Sequence, residues 1–208
     1  MKLLIDLFSG LGGASAAFDE SPHWQTLKFD NNEELLEHNR GLHIIDVADT
    51  DEIIRLIRIH IRTQYQVFGV VFDQVVIWSS PPCNEFSWAN PVRHNREDFD
   101  FTLVEATLDI INTIQPDYWI MENVLGAVPV FEQEFGIFPG QKIGPVILWG
   151  KFPLIPISER DNWHHRKLDT KGSRSLRPNY RAKIPMAISK GLLDVLDNQR
   201  TLDFYSDE

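Results

Sequence analysis

A doubly wound, mostly parallel α/β sheet is the architecture this sequence predicts, and three observations carry it. Short apolar runs alternate with segments of helical spacing five times between residues 3 and 121, the pattern of parallel strands joined by helical crossovers. The runs lead into residues that chemistry can use: a glycine turn after Phe8, then Asp30, Asp46, Cys83 and Glu122. Open α/β sheets hold their ligands at the carboxyl ends of their strands, so decorations gathered at that one edge predict a site there.

Leu3-Leu4-Ile5-Asp6-Leu7-Phe8 reads as the first strand, and Ser9 to Phe18, with Gly10, Gly12 and Gly13, as a glycine turn opening into a helix. Glycine lets the backbone approach a ligand closely and a helix start offers free N–H groups, although plain strand-to-helix connections use such turns too. Thr26 to Asp30 is the second strand, ending in an acid 17 residues past Gly13. That is the place for a carboxylate that accepts from ribose hydroxyls, and equally for a helix cap. Asn31 to Asn39 reads as a helix behind polar caps. His43 to Val47 is the third strand; an unpaired Asp46 would be costly to bury there, so it is expected in the strand-end crevice. Asp49 or Thr50 caps a helix running to about Arg62, with Ile53, Ile54, Ile57 and Ile61 on its core face.

Val75 to Trp78 is the fourth strand and delivers Ser79-Ser80-Pro81-Pro82-Cys83-Asn84-Glu85-Phe86-Ser87, which holds the only cysteine of the chain. A lone cysteine is more often a small core residue than a nucleophile. A core cysteine, however, has no use for a loop stiffened by two prolines, which here set the angle of the thiol just past a strand end. Asn84 to Asp98 is long for a connection and reads as a lid or binding loop, with Trp88, Arg93, His94 and Arg96 able to touch a substrate, and equally as an exposed disordered loop. Phe99 to Ile114 has helical spacing and ends before Pro116, and Tyr118 to Met121 is the fifth strand, running into Glu122-Asn123-Val124. Further on, Val146 to Trp149 is a strand, Asn162 to Lys183 a polar, basic loop, and Pro185 to Leu196 a final helix.

With 208 residues and 43% hydrophobic content the chain is expected to form a single domain over its whole length. One cysteine excludes an internal disulfide. The apolar runs are too short to span a membrane, and Asp6 interrupts the first of them too early for a secretion signal, so a cytoplasmic monomer is expected. A net charge of −10 argues at first against a polyanionic partner, but residues 151–183 carry nine Lys or Arg against three acids, a local +6 that leaves −16 on the rest.

Three of these segments resemble motifs of the S-adenosylmethionine-dependent cytosine C5 methyltransferases. Asp6-Leu7-Phe8-Ser9-Gly10-Leu11-Gly12-Gly13 is similar to the motif that wraps the cofactor, Pro82-Cys83-Asn84-Glu85-Phe86-Ser87 to the catalytic motif, and Glu122-Asn123-Val124 to the third. They stand in the family's order and cover most of residues 1–125. The resemblance implies a class I methyltransferase (Rossmann-like) sheet in a minimal, phage-like form. It implies S-adenosyl-L-methionine as cofactor, held by Phe8, Ser9, Gly10, Leu11, Gly13, Asp30, Asp46, Val47 and Pro82. Phe8 would stack near the adenine, Asp30 hold the ribose hydroxyls and Asp46 accept from the adenine amino group. Cys83 would be the nucleophile and Glu122 its partner at the cytosine, with Arg93, Arg96, Asn123, Arg174, Arg177 and Arg181 toward the nucleic acid. No metal is implied.

The chain departs from the family's pattern in three places. Arg181-Ala182-Lys183-Ile184-Pro185 resembles the last motif with Ala182 in place of its asparagine. Gln141-Lys142 resembles the start of the eighth, but Ile143 and Pro145 stand where arginines belong, leaving Arg160, Arg166 and Arg181 as replacements. The long DNA-reading insertion is reduced to the basic residues 151–183. The expected substrate is double-stranded DNA with its target base flipped out. RNA or a free cytosine nucleotide is the second reading, and a catalytically silent binding module the third. Intact Cys83 and Glu122 oppose the third.

Overall fold

The computed structural model describes residues 1–88, 99–157 and 174–203. One sheet is built from β1 (Lys2–Leu7), β2 (Trp24–Asp30), β3 (Leu42–Ile44), β4 (Gln74–Ser79), β5 (Tyr118–Val124), β6 (Pro139–Ile143) and β7 (Val146–Lys151). Its seven strands lie in the order β3-β2-β1-β4-β5-β7-β6. Neighbours among β1 to β5 pair in parallel, whereas β7 runs antiparallel to both β5 and β6. Strand order reverses between β1 and β4, so the ligand crevice of such a sheet opens above that pair.

Both faces are covered, which is why apolar residues stand consecutively in the central strands rather than at alternate positions. Leu4, Val76, Trp78, Ile120 and Leu148 point to one side. There they meet Phe18 of α1 (Ala16–Asp19) and Ile188, Leu192 and Leu196 of α6 (Met186–Asp203). Leu3, Ile5, Leu7, Phe29 and Ile77 point to the other, against Ile53, Ile54 and Ile57 of α2 (Thr50–Phe68) and Ile110 and Ile111 of α3 (Thr102–Ile114). A third cluster packs Phe86, Met121 and Trp149 against Val130 and Phe131 of α4 (Val128–Phe135).

Several elements differ from expectation. Residues 31–39 form only a 3-10 turn, Glu33–Leu35. Leu35 is buried but Leu36 is 52% exposed, so the segment has no apolar stripe to hold a helix against the sheet. The third strand stops at Ile44, which leaves Asp46 and Val47 in the following loop. The helix α2 continues past Arg62 to Phe68, and Gly69, at φ 67°, ends it with Val70 N–H donating to the Gln64 carbonyl. Strand β6 and helix α4 lie in a stretch where no element is legible, and α5 (Arg177–Ala182) is helical where a loop is expected.

Candidate active site

Strand register brings the predicted residues into one row. Leu7 lies beside both Phe29 and Ser79, and Ser79 beside Met121. The next residue of each strand, Asp30, Phe8, Ser80 and Glu122, therefore emerges at the same height on four neighbouring strands, roughly 5 Å apart from one to the next.

The turn after β1 is bent into an unusual path. Phe8 sits at φ 58°, a left-handed conformation rare for an aromatic residue and characteristic of functional sites. Gly10 and Gly12 follow at φ 54° and 66°. Ser9 N–H donates to the Phe29 carbonyl at 2.9 Å, and Gly10 N–H to Asp30 Oδ2 at 2.9 Å, so β2 holds the turn from one side. A Cβ on Gly13 would lie 2.5 Å from the Ile184 carbonyl oxygen, so only glycine lets the 183–185 segment cross here. The 183–185 segment is thereby held directly against the turn. Ser189 on α6 reinforces it, donating to the Ala14 carbonyl at 2.6 Å and accepting from Ala17 N–H at 3.0 Å. Leu11 and Val47 are buried, Leu11 with Leu35, Leu42 and Leu176, and Val47 beneath α2, so their side chains serve the core. Asp46 is exposed beyond β3, its Oδ1 accepting from Ala48 N–H at 2.9 Å.

Cys83 is half-buried on a loop fixed at three points. Asn123 Nδ2 donates to the Pro81 carbonyl at 3.1 Å. Both Phe86 N–H and Ser87 N–H donate to the Cys83 carbonyl, at 3.0 and 2.9 Å. Phe86 is the anchor, 1% exposed and 5.0 Å from the Phe131 ring in an edge-on contact. Asn123 is 1% exposed and spends its amide on this loop, so it supports Cys83 rather than presenting itself to a substrate. Pro82 is exposed and Pro81 buried.

Burial pushes the Glu122 carboxyl up to about 7, opposed by a hydrogen bond with Ser80. Trp78 Nε1 donates to Ser80 Oγ at 2.8 Å. Since indole N–H can only donate, the Ser80 hydrogen is directed at Glu122. Ser80 was not among the predicted site residues; its role depends on a tertiary pairing that no motif spacing displays. Burial also raises the Cys83 thiol, the Glu122 charge raises it further, and the Arg181 charge pulls it back. Among the described residues, Arg181, exposed on α5, is the one of the three candidate arginines whose charge reaches the thiol. Arg177 is also exposed on α5. Arg93, Arg96, Arg160 and Arg166 lie outside the described residues, as do the side-chain surroundings of Arg174. Among the described residues no group of three His, Cys, Asp or Glu is placed to hold a metal ion, and no helix is long and apolar enough to cross a membrane.

Residues 3–133 match the profile of C-5 cytosine-specific DNA methylases. The chain is 26% identical over 127 residues to the type II methyltransferase M.HindV of Haemophilus influenzae, a match covering 58% of this chain and 36% of that protein. It thus spans about a third of the length of that curated relative. Among solved structures, the Entamoeba histolytica methyltransferase EhMeth aligns at 16% identity and TM-score 0.47, covering 76% of this chain and 55% of the other. A Spodoptera frugiperda DNMT2 variant aligns at 18% identity and TM-score 0.41, with 76% and 54% covered.

Proposed function

This chain belongs to the C-5 cytosine-specific DNA methylase family, and we propose that it methylates C5 of cytosine in double-stranded DNA through a covalent Cys83 adduct. One observation carries the reading. A stiffly held thiol and a carboxyl near neutrality stand at adjacent strand ends, close enough that the charge of one shifts the other. A binding module has no need of that pair.

Cytosine C5 is a poor nucleophile. Addition of the Cys83 thiolate to C6 makes C5 enamine-like, dividing one difficult step into easier ones. Glu122 in its acid form donates to N3 and accepts from the exocyclic amine, so the ring is protonated as the S–C6 bond forms. With the methyl taken up at C5, loss of the C5 proton to solvent and expulsion of the thiolate restore the aromatic ring and Cys83, and the N3 proton returns to Glu122. Arg181 favours the thiolate and takes the part of the absent arginines at Ile143 and Pro145.

The family's cofactor, S-adenosylmethionine, supplies an electrophilic methyl group, and the residues fit it. A Cβ on Gly10 would lie 3.8 Å from Asn179 Nδ2, in ordinary contact, so α5 borders the turn on that side. Phe8 in the turn supplies an aromatic face, and Asp30 and Asp46 supply acceptors for hydroxyl and amino groups. Calorimetry on Asp30→Ala is expected to show cofactor affinity reduced about tenfold or more, because the substitution also frees Gly10 N–H. Unchanged affinity in both Asp30→Ala and Asp46→Ala would place the cofactor elsewhere.

Residues 151–183, with Arg93 and Arg96, supply the basic face for the phosphate backbone. Reversing charge at Arg174 and Arg177 together is expected to weaken DNA binding and flatten its log–log salt slope by about 1 per lost phosphate contact, leaving cofactor affinity intact. The substrate itself is tested by incubation with labelled S-adenosylmethionine and duplex DNA, RNA or dCMP in turn. Label on C5 of duplex DNA is the expected result; label on RNA or dCMP alone would replace it.

A further inference from the structure

We propose that Asn39 is a positioning residue for the cofactor, holding the Ser9–Gly12 turn in its binding shape; this rests on the methyltransferase reading above. Asn39 is 4% exposed and lies 30 residues from Ser9 in sequence. Its Nδ2 donates to Ser9 Oγ at 2.9 Å and to the Gly10 carbonyl at 3.1 Å, using both amide hydrogens. Ser9 Oγ donates onward to Asp6 Oδ2 at 2.7 Å, so the chain of donors runs one way, from amide to hydroxyl to carboxylate.

The brace is itself pinned. Asn39 N–H donates to the Leu35 carbonyl at 2.8 Å, and Leu42 N–H to the Asn39 carbonyl at 3.3 Å. A Cβ on Gly12 would come within 3.0 Å of Asn39 Oδ1, so the side chain fills the hollow beside that glycine. Gly10 is therefore gripped from two sides, its carbonyl by Asn39 and its N–H by Asp30. Glycine turns have many conformations open to them. A turn released from this grip has to be ordered by the ligand as it binds, and that ordering is subtracted from affinity.

Asn39→Asp keeps the size and the Oδ1 contact but turns an acceptor toward the Ser9 hydroxyl and the Gly10 carbonyl. Calorimetry with S-adenosylmethionine is expected to give a Kd raised about tenfold or more. The KM for the cofactor should rise in parallel while kcat at saturating cofactor stays within about twofold. In a Ser9→Ala background, Asn39→Ala should add less than it does alone, because one of its two partners is already gone. A parent-like Kd with only a lowered melting temperature would make Asn39 merely structural and overturn the proposal, as would fully additive losses. If the Asn39 variants do not fold, Ser9→Ala decides, and parent affinity there also overturns it. A parent protein that binds no S-adenosylmethionine overturns the reading beneath; a parent that binds it, with variants unaffected, overturns the proposal alone.

Discussion

Cys83→Ala is expected to lower methyl transfer by at least about 10⁴-fold and to abolish covalent capture on DNA carrying 5-fluorocytosine. Fluorine at C5 cannot leave as the proton does, so the adduct formed at C6 persists and the protein stays attached to its substrate. Alanine offers nothing to add to C6, and no adduct forms at all. The substitution should leave the fold in place, because the loop is held by Pro81, Phe86 and Asn123 and not by the half-buried thiol. Cofactor binding measured alongside is expected to remain at the parent level, which separates loss of chemistry from loss of structure. Capture that survives in Cys83→Ala would require another nucleophile, and with no second cysteine in the chain it could not be a thiol, so the assignment of Cys83 would have to be abandoned. Because burial and Glu122 both hold the free thiol in its protonated form, the parent should also react slowly with alkylating reagents at neutral pH.

What could be read from the sequence was whatever local chemistry writes there. Strands β1, β4 and β5 are covered on both faces and stand out by their consecutive apolar residues, and the isoleucines of α2 repeat at helical spacing. Cys83 and Glu122 announce themselves through their immediate neighbours. Strand β6 does not, since Pro139, Gly140 and Lys142 are poor strand formers and the segment extends only because β7 offers a partner. Ser80, Asn39 and Ser189 were hidden for a different reason. Each acts across a tertiary contact, in the case of Ser189 and Ala14 one spanning 175 residues. The titration of Glu122 was hidden likewise, because burial is a property of the packed sheet edge.

That titration sets the largest pH effect to be expected. Addition to C6 needs Cys83 without its proton and Glu122 with one, so the reactive pair carries a single proton between the two groups. Such a pair is most populated between its two titrations, which belong to the pair jointly. Its acid limb should fall near the Glu122 value of about 7, and its alkaline limb near the Cys83 thiol, which lies above its ordinary 9.0. The parent's kcat/KM should therefore rise with pH to about 7, hold level, and fall again only in the alkaline range. Glu122→Gln retains a hydrogen bond to N3 but has no proton to give, so turnover at pH 7 is expected to drop roughly 10²- to 10⁴-fold. Its residual rate should lose the limb near 7 and climb with the thiolate into the alkaline range. Ser80→Ala acts on the same limb in the opposite sense from a simple loss of activity. Removing the hydrogen bond that favours the carboxylate raises the Glu122 titration, so the acid limb should move up in pH and the plateau should rise with it, because a larger share of the singly protonated pair then holds its proton on Glu122. A Glu122→Gln profile that keeps the parent's limb near 7, or a Ser80→Ala limb displaced downward, would show that the proton at N3 comes from another group.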